Sequence, residues 1–136
     1  MYKTIIVAVD VSHGTSGQSL LEKSAQLLNE GGRICLLYVL EEIPSYVAAE
    51  LPHDLGEKRN AEARMELKAL AQAMNVAASV EVRHGAASGQ ILQCAEEHGA
   101  DLIMIASHRP GLSDYFIGST AARVVRHAQC SVLISR

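Results

Sequence analysis

A chain of 136 residues, 49 % hydrophobic and 20 % charged, holds enough apolar material for one core and is too apolar to stay disordered. A formal net charge of −3, no basic block and only 4 % aromatic residues exclude the charged and stacking footprint of a nucleic-acid binder. The opening MYKTIIVAVD carries a five-residue apolar run that meets Asp10. That run is too short for a signal peptide or a membrane span, so a cytoplasmic location is expected.

Residues 4–9, TIIVAV, form a β-branched run without charge and predict a central strand, closed by Asp10. Gly14 and Gly17 loosen the next turn, and a helix is expected to about residue 29. Leu21, Ala25 and Leu28 make its inner face, widened by Leu20 and Leu27, and Gly31 and Gly32 stop it. Residues 34–39, ICLLYV, predict a second buried strand. Residues 40–56 contain Pro44 and Pro52 and show no clean period; they read as a mobile connector able to fold over a ligand. A long helix follows over 57–74, with Ala63, Leu67, Leu70, Ala71 and Met74 inward and a charged, solvated outer face.

In residues 79–84, SVEVRH, apolar and charged side chains alternate, which predicts a strand with one wet face or a place at a sheet edge. Gly85 leads into a third helix with Ile91, Leu92 and Ala95 inward and Gly99 as its stop. Leu102, Ile103, Met104 and Ile105 predict a fully buried strand. A polar loop carries Ser107, His108, Arg109, Pro110 and Gly111. Gly118, Ser119 and Thr120 then start a helix with Ala121, Ala122, Val124, Val125 and Ala128 on its apolar face, and a last strand covers 131–135. Strand and helix patterns alternate throughout, which specifies one α/β domain over 1–136 with a mostly parallel sheet and right-handed crossovers. A strand running through a polar loop into a small-residue helix start presents backbone N–H groups to an anion, so this loop is read as holding a phosphate.

Cys35, Cys94 and Cys130 are an odd set without a C-x-x-C pair, which argues against a disulfide framework or a zinc site and reads them as small buried hydrophobes. His13, His53, His84, His98 and His127 show no metal-ligand spacing, and whether any metal is bound is left open. Neither G-x-x-x-x-G-K-[ST] nor G-x-G-x-x-G occurs, so both a P-loop and a dinucleotide fingerprint are absent. His108 sits in a polar loop as a general base would, but no partner for it is visible, and no catalytic residue is assigned. At most, slow hydrolysis or autophosphorylation is expected.

The last third, DLIMIASHRPGLSDYFIGSTAARVVRHAQCSVLISR, resembles the universal stress protein family, whose members share a Gly-x2-Gly-x9-Gly-Ser/Thr pattern here. Laid on that pattern, the glycines fall on Ala106, Arg109 and Gly118 and the hydroxyl residue on Ser119. ASHRP, then GS and VVRHAQCSVL, is similar to the small F/G-type subgroup, in which adenine-nucleotide binding persists despite the lost glycines. The resemblance covers essentially the whole chain. It implies a five-stranded, mostly parallel open sheet of order 3-2-1-4-5 between helices, of the Rossmann-like, adenine-nucleotide alpha-hydrolase-like kind. It also implies a small regulatory or stress-response module that binds ATP, ADP or AMP, with or without Mg. Two further implications are a homodimer formed through strand 131–135 and an unidentified protein partner, without nucleic acid or membrane.

The implied nucleotide positions are Ala8, Asp10, Val39, Gly85, Ile105, Ala106, Ser107, His108, Arg109, Gly118, Ser119 and Thr120. Under the implied order, the crevice beyond the strand C-terminal ends lies between the first and fourth strands, so Asp10 faces the Ala106, Ser107, His108 loop. Asp10 either lies near adenine and ribose, as in the family, or caps the turn after its strand. The Val39 backbone would read the adenine edge. Gly85 either sits beside the ribose or makes a strand-end turn. Gly118, Ser119 and Thr120 either cradle phosphate or form an ordinary helix cap. Arg109 either supplies charge where backbone donors were lost or is a surface cation. The alternative function is a nucleotide-free dimeric protein-interaction module of the same fold. A flavodoxin-like redox carrier is disfavoured by the lack of an aromatic flank or flavin motif.

Overall fold

The computed structural model describes residues 1–10, 15–41, 45–50, 54–106 and 118–135. The elements run β1 (Tyr2–Ala8), α1 (Thr15–Leu27), β2 (Leu28–Leu40), α2 (Ser45–Ala48), α3 (Leu55–Ala73), β3 (Ser79–His84), α4 (Ala87–His98), β4 (Leu102–Ala106), α5 (Ser119–His127) and β5 (Ser131–Ser135). The five strands form one sheet in the order β3-β2-β1-β4-β5, and each neighbouring pair is parallel. The expected α/β architecture and strand order are therefore observed. Among the described residues no helix is long and apolar enough to cross a membrane.

Strand alternation divides the core in two. Ile5 and Val7 of β1, Ile34 and Leu36 of β2, and Leu102 and Met104 of β4 face α1 and α3, where Leu20, Leu21, Leu67 and Ala71 cover them. Ile6, Cys35, Leu37, Ile103 and Ile105 face the other way, under Ile91, Cys94 and Ala95 of α4 and Ala121 and Val124 of α5. The unbroken apolar runs of β1, β2 and β4 follow from this, because a strand covered on both sides has no solvent face. Burying each large aliphatic side chain contributes about 1.5–3 kcal/mol, and the three inner strands supply most of them. β3, whose side chains alternate, is an edge strand as expected.

Four helix and strand details differ from the sequence reading. α1 ends at Leu27, short of residue 29, and the next six residues belong to an irregular start of β2. There the pairing jumps from Tyr2↔Leu28 to Thr4↔Arg33, so four β2 residues, 29–32, stand opposite Lys3 alone. Gly31 at φ 76° makes that bulge, and a Cβ on Gly32 would come within 2.6 Å of Leu28 Cδ1 and 2.9 Å of the Lys3 carbonyl oxygen. Ala25 is exposed, and Ser24 takes the buried place one residue earlier, its hydroxyl donating to the Leu21 carbonyl at 2.6 Å. Ala122 and Val125 point outward from α5, because Ala121 and Val124, one helical turn apart, already fill the inward stripe. Finally, the connector over 40–56 contains the short helix α2 in its described part, while 42–44 and 51–53 lie outside the described residues.

Asp101, just before β4, ties the start of that strand to the start of β1. Its Oδ2 accepts from the Lys3 backbone N–H and its Oδ1 from that of Thr4, both at 2.9 Å, and its own N–H donates to the Thr4 carbonyl at 3.0 Å. The Lys3 bond first, helped by the Thr4 bond, outweighs the burial penalty and holds the carboxyl below the usual carboxylate range. A lowered folded pKa stabilises the native state above the unfolded value of about 3.9, and that contribution disappears as pH falls through the folded value. Asp101→Asn is therefore expected to lower stability at neutral pH by about 1 kcal/mol, a small figure for bonds to a charged group because solvent screens this one. Urea melts of both proteins should show the gap closing as pH falls below the carboxylate range.

Candidate functional site

In a parallel sheet the helix that follows each strand starts near that strand's C-terminal end, so helix N-termini gather along one edge. β1 is the strand at which the order reverses, and Ala8 near its end lies in register with Leu37 on β2 and Ile105 on β4. Beyond this edge is a cleft of about 340 Å³ lined by Glu41, the turn Gly85 to Ser88, and Ser119, Thr120 and Arg123. Gly85 lies just past β3 and is bound to β2 through its N–H, which donates to the Leu40 carbonyl at 3.0 Å. Its φ of 129° is a backbone conformation that side chains resist, and a Cβ there would also come within 3.3 Å of the Gln90 amide nitrogen.

Two helix N-termini open on this cleft. α4 is preceded by Ala86 and α5 by Gly118, residues that have no polar side chain with which to cap the first-turn N–H groups. The hydroxyl residues Ser88, Ser119 and Thr120 stand beside these donors in the cleft wall. Arg123 adds a permanent cation one helical turn after Ser119. Against these stands the Glu41 carboxylate, the one acidic side chain among the described residues of the lining. The arrangement suits an anion of several oxygens held by backbone donors, hydroxyls and a guanidinium.

Of the residues expected from the sequence, Gly85, Ser119 and Thr120 come together in this lining, although they lie on two separate helix starts. Ala8 and Ile105 lie side by side at the C-terminal edge of the sheet, Val39 is paired with Arg83 near the end of β2, and Ala106 ends β4. These four residues, with Asp10 and Gly118, do not contribute to the cleft wall. Asp10 is exposed beyond β1, and Tyr38 senses it: burial first and then the Asp10 charge push the Tyr38 hydroxyl pKa up. Ser107, His108 and Arg109, with the rest of 107–117, lie outside the described residues. Arg123 escaped the sequence reading, which took α5 for its Gly118, Ser119 and Thr120 start and its apolar stripe. Its signal was the four-residue spacing from Ser119, which puts both on one helix face.

A family model described as "Universal stress protein family" matches residues 1–136. The chain belongs to the universal stress protein family. It is 32 % identical over 142 residues to universal stress protein G of Escherichia coli O157:H7, covering all of both chains. Among solved structures, that of the hypothetical protein MJ0577 superposes with a TM-score of 0.80 at 24 % identity, over 98 % of this chain and 95 % of that one. Two further family structures carry adenine nucleotides. One is a universal stress protein in complex with cAMP (TM-score 0.66, 21 % identity, 99 % and 97 % covered). The other is an Arabidopsis thaliana family protein with AMP bound (TM-score 0.62, 18 % identity, 97 % and 90 % covered).

The strained Gly85 turn is the most exposed part of the cleft to substitution. Gly85→Ala should destabilise the protein by about 1–2 kcal/mol through its positive φ. Ala87→Gly, two residues on, is a control without that strain and should cost about 1 kcal/mol or less. Thermal melts of the two variants check the difference.

Proposed function

We propose that this chain is a cytoplasmic adenine-nucleotide-binding regulatory module, taking ATP, ADP or AMP at the C-terminal edge of its sheet. The observation that carries the reading is the convergence of two uncapped helix N-termini and Arg123 on one cleft beyond the C-terminal edge of the sheet. Its volume of about 340 Å³ falls within the usual range for small-molecule sites. Family membership and the cAMP and AMP complexes of two structural neighbours support adenine as the base. In this reading Ser119, Thr120 and Arg123 hold phosphate oxygens, Gly85 lies beside the ribose, and Asp10 and the Val39 backbone meet the adenosine end. Arg109 adds charge in place of the missing glycine, and any Mg would sit among the phosphate oxygens. Hydrolysis, if any, is slow in this reading, because no hydrogen bond among the described residues joins a base to Ser88, Ser119 or Thr120.

Isothermal titration tests the reading. A charge-assisted contact contributes about 1.5–3 kcal/mol, so Arg123→Ala should weaken ATP about tenfold or more. Adenosine, which has no phosphate, should bind the variant as it binds the wild type. No heat and no thermal shift with millimolar ATP in the wild type would favour the nucleotide-free protein-interaction module.

We also propose that the chain dimerises through β5. This strand pairs with β4 along one side, from Leu102↔Ser131 to Ala106↔Ser135, and stands at the end of the strand order. Val132, Leu133 and Ile134 are half-buried, and no charged residue interrupts the strand. Such an edge invites pairing, and a two-fold that sets it against a second copy closes it. Leu133→Lys should shift the sedimenting species from dimer to monomer at micromolar concentration; a monomeric wild type would remove the proposal.

A further inference from the structure

The fold draws together four side chains that sequence spacing keeps apart: Cys35 of β2, Glu81 of β3, and Cys94 and His98 of α4. Their ligand atoms all lie within 4.8 Å of one another. His98 Nε2 is 3.0 Å from Glu81 Oε1, and Cys94 Sγ is 3.5 Å from Glu81 Oε2. Cys94 and His98 share a helix face because they are four residues apart. Cys35 lies two residues before Leu37 on the same side of β2, and Leu37 pairs in register with Glu81, so both point under α4.

Two thiols, a carboxylate and an imidazole make a costly patch for an otherwise apolar core face, where a leucine or valine would pack without desolvation. The neighbouring Cys94 thiol holds Cys35 down at about 7 against the effect of burial, and Cys35 together with burial pushes Cys94 up. Burial raises the Glu81 carboxyl, but bonds from Arg83 and His98 together outweigh it and leave the group below its usual range.

We propose that Cys35, Glu81, Cys94 and His98 form a tetrahedral site for one divalent zinc ion. Two thiolates, an imidazole and a carboxylate are ligands zinc accepts, and the sulfur pair disfavours magnesium and calcium. One zinc ion with bonds of about 2.0–2.3 Å would draw onto a single centre ligand atoms that already lie within 4.8 Å of one another. A ring of outer contacts orients the carboxylate: Arg83 Nε donates to Glu81, Arg83 Nη2 donates to Glu97, and Gln93 donates to Glu97 at 3.1 Å.

Two thiolates and a carboxylate bring three negative charges against the ion's two positive, and the Arg83 guanidinium, shared between Glu81 and Glu97, offsets part of the remainder. The thiol protons leave to water on loading, and no electron moves. Cys35 and Cys94 are 4 % and 0 % exposed, whereas the Glu81 and His98 side chains are 29 % and 32 % exposed, which gives the ion its way in. From Cys35 to the end of β2 at Leu40 is about 17 Å of strand, so this site is separate from the nucleotide cleft. The ion would fasten edge strand β3 to β2 and α4.

Cobalt(II) titration of the reduced, metal-stripped full chain tests the proposal. One equivalent should produce a thiolate-to-cobalt charge-transfer band and the strong visible bands of a four-coordinate site, and one equivalent of zinc should abolish both. Cys130→Ser should leave them unchanged, and Cys94→Ser should remove the charge-transfer band or halve it. His98→Ala, at a part-exposed position that folding tolerates, should weaken zinc about tenfold or more, since losing even an outer partner costs about 10–100-fold. No charge-transfer band in the wild type, or a band unaltered in Cys94→Ser, would overturn the proposal. So would a Cys35–Cys94 disulfide whose reduced form takes no cobalt.

Discussion

The reversal of strand order at β1 is the constraint on which this molecule depends. β1 pairs in parallel with β2 on one side and β4 on the other, and parallel neighbours require crossovers. Right-handed crossovers that walk outward from β1 to β3 lay α1 and α3 on one face. The connection from β3 to β4 must pass back across the sheet, and it carries α4 to the opposite face, where α5 joins it. Both core layers follow from that path, as does the unbroken hydrophobicity of the central strands. The crossing also brings the start of α4, on the β2–β3 side, next to the start of α5, which follows β4.

The electrostatics of the cleft are a consequence of the same path. A helix N-terminus contributes only about 0.3–1 kcal/mol toward an anion at an exposed site, so two of them give a modest sum. Arg123 contributes more, about 1.5–3 kcal/mol where its contact is charge-assisted. Backbone donors thus fix geometry and the guanidinium supplies most of the attraction, with Glu41 opposing it at the rim. Under the proposed nucleotide reading, a chain with Ala106 and Arg109 at two glycine positions of the family pattern would keep the α5 end of its phosphate cradle, which does not depend on them.

Much of this was legible in the chain. Unbroken β-branched runs marked β1, β2 and β4 because covered strands have no wet face, and the alternation of SVEVRH marked β3 as an edge. Gly118, Ser119 and Thr120 marked a helix start. Less visible were features fixed by packing between distant segments. Ser24 rather than Ala25 faces the core, since a hydroxyl bonded to its own helix can be buried and hydropathy alone does not register that. Leu28 to Gly32 read as a helix end because the irregularity beside β1 depends on a close approach of Gly32 to Lys3. Cys35, Glu81 and the Cys94 and His98 pair come from three elements, so the four-residue spacing of that pair shows half of the cluster and nothing local shows the rest.

Amide chemical-shift mapping during a titration with ATP tests the central claim, that the strand-order reversal builds an anion-holding cleft at the C-terminal edge of the sheet. The account predicts that Gly85, Ala86, Ser88, Ser119, Thr120 and Arg123 shift first and saturate together, while Cys35, Glu81 and Asp101, far from that edge, stay fixed. Shifts centred on the opposite edge of the sheet, or none at millimolar ATP, would contradict it.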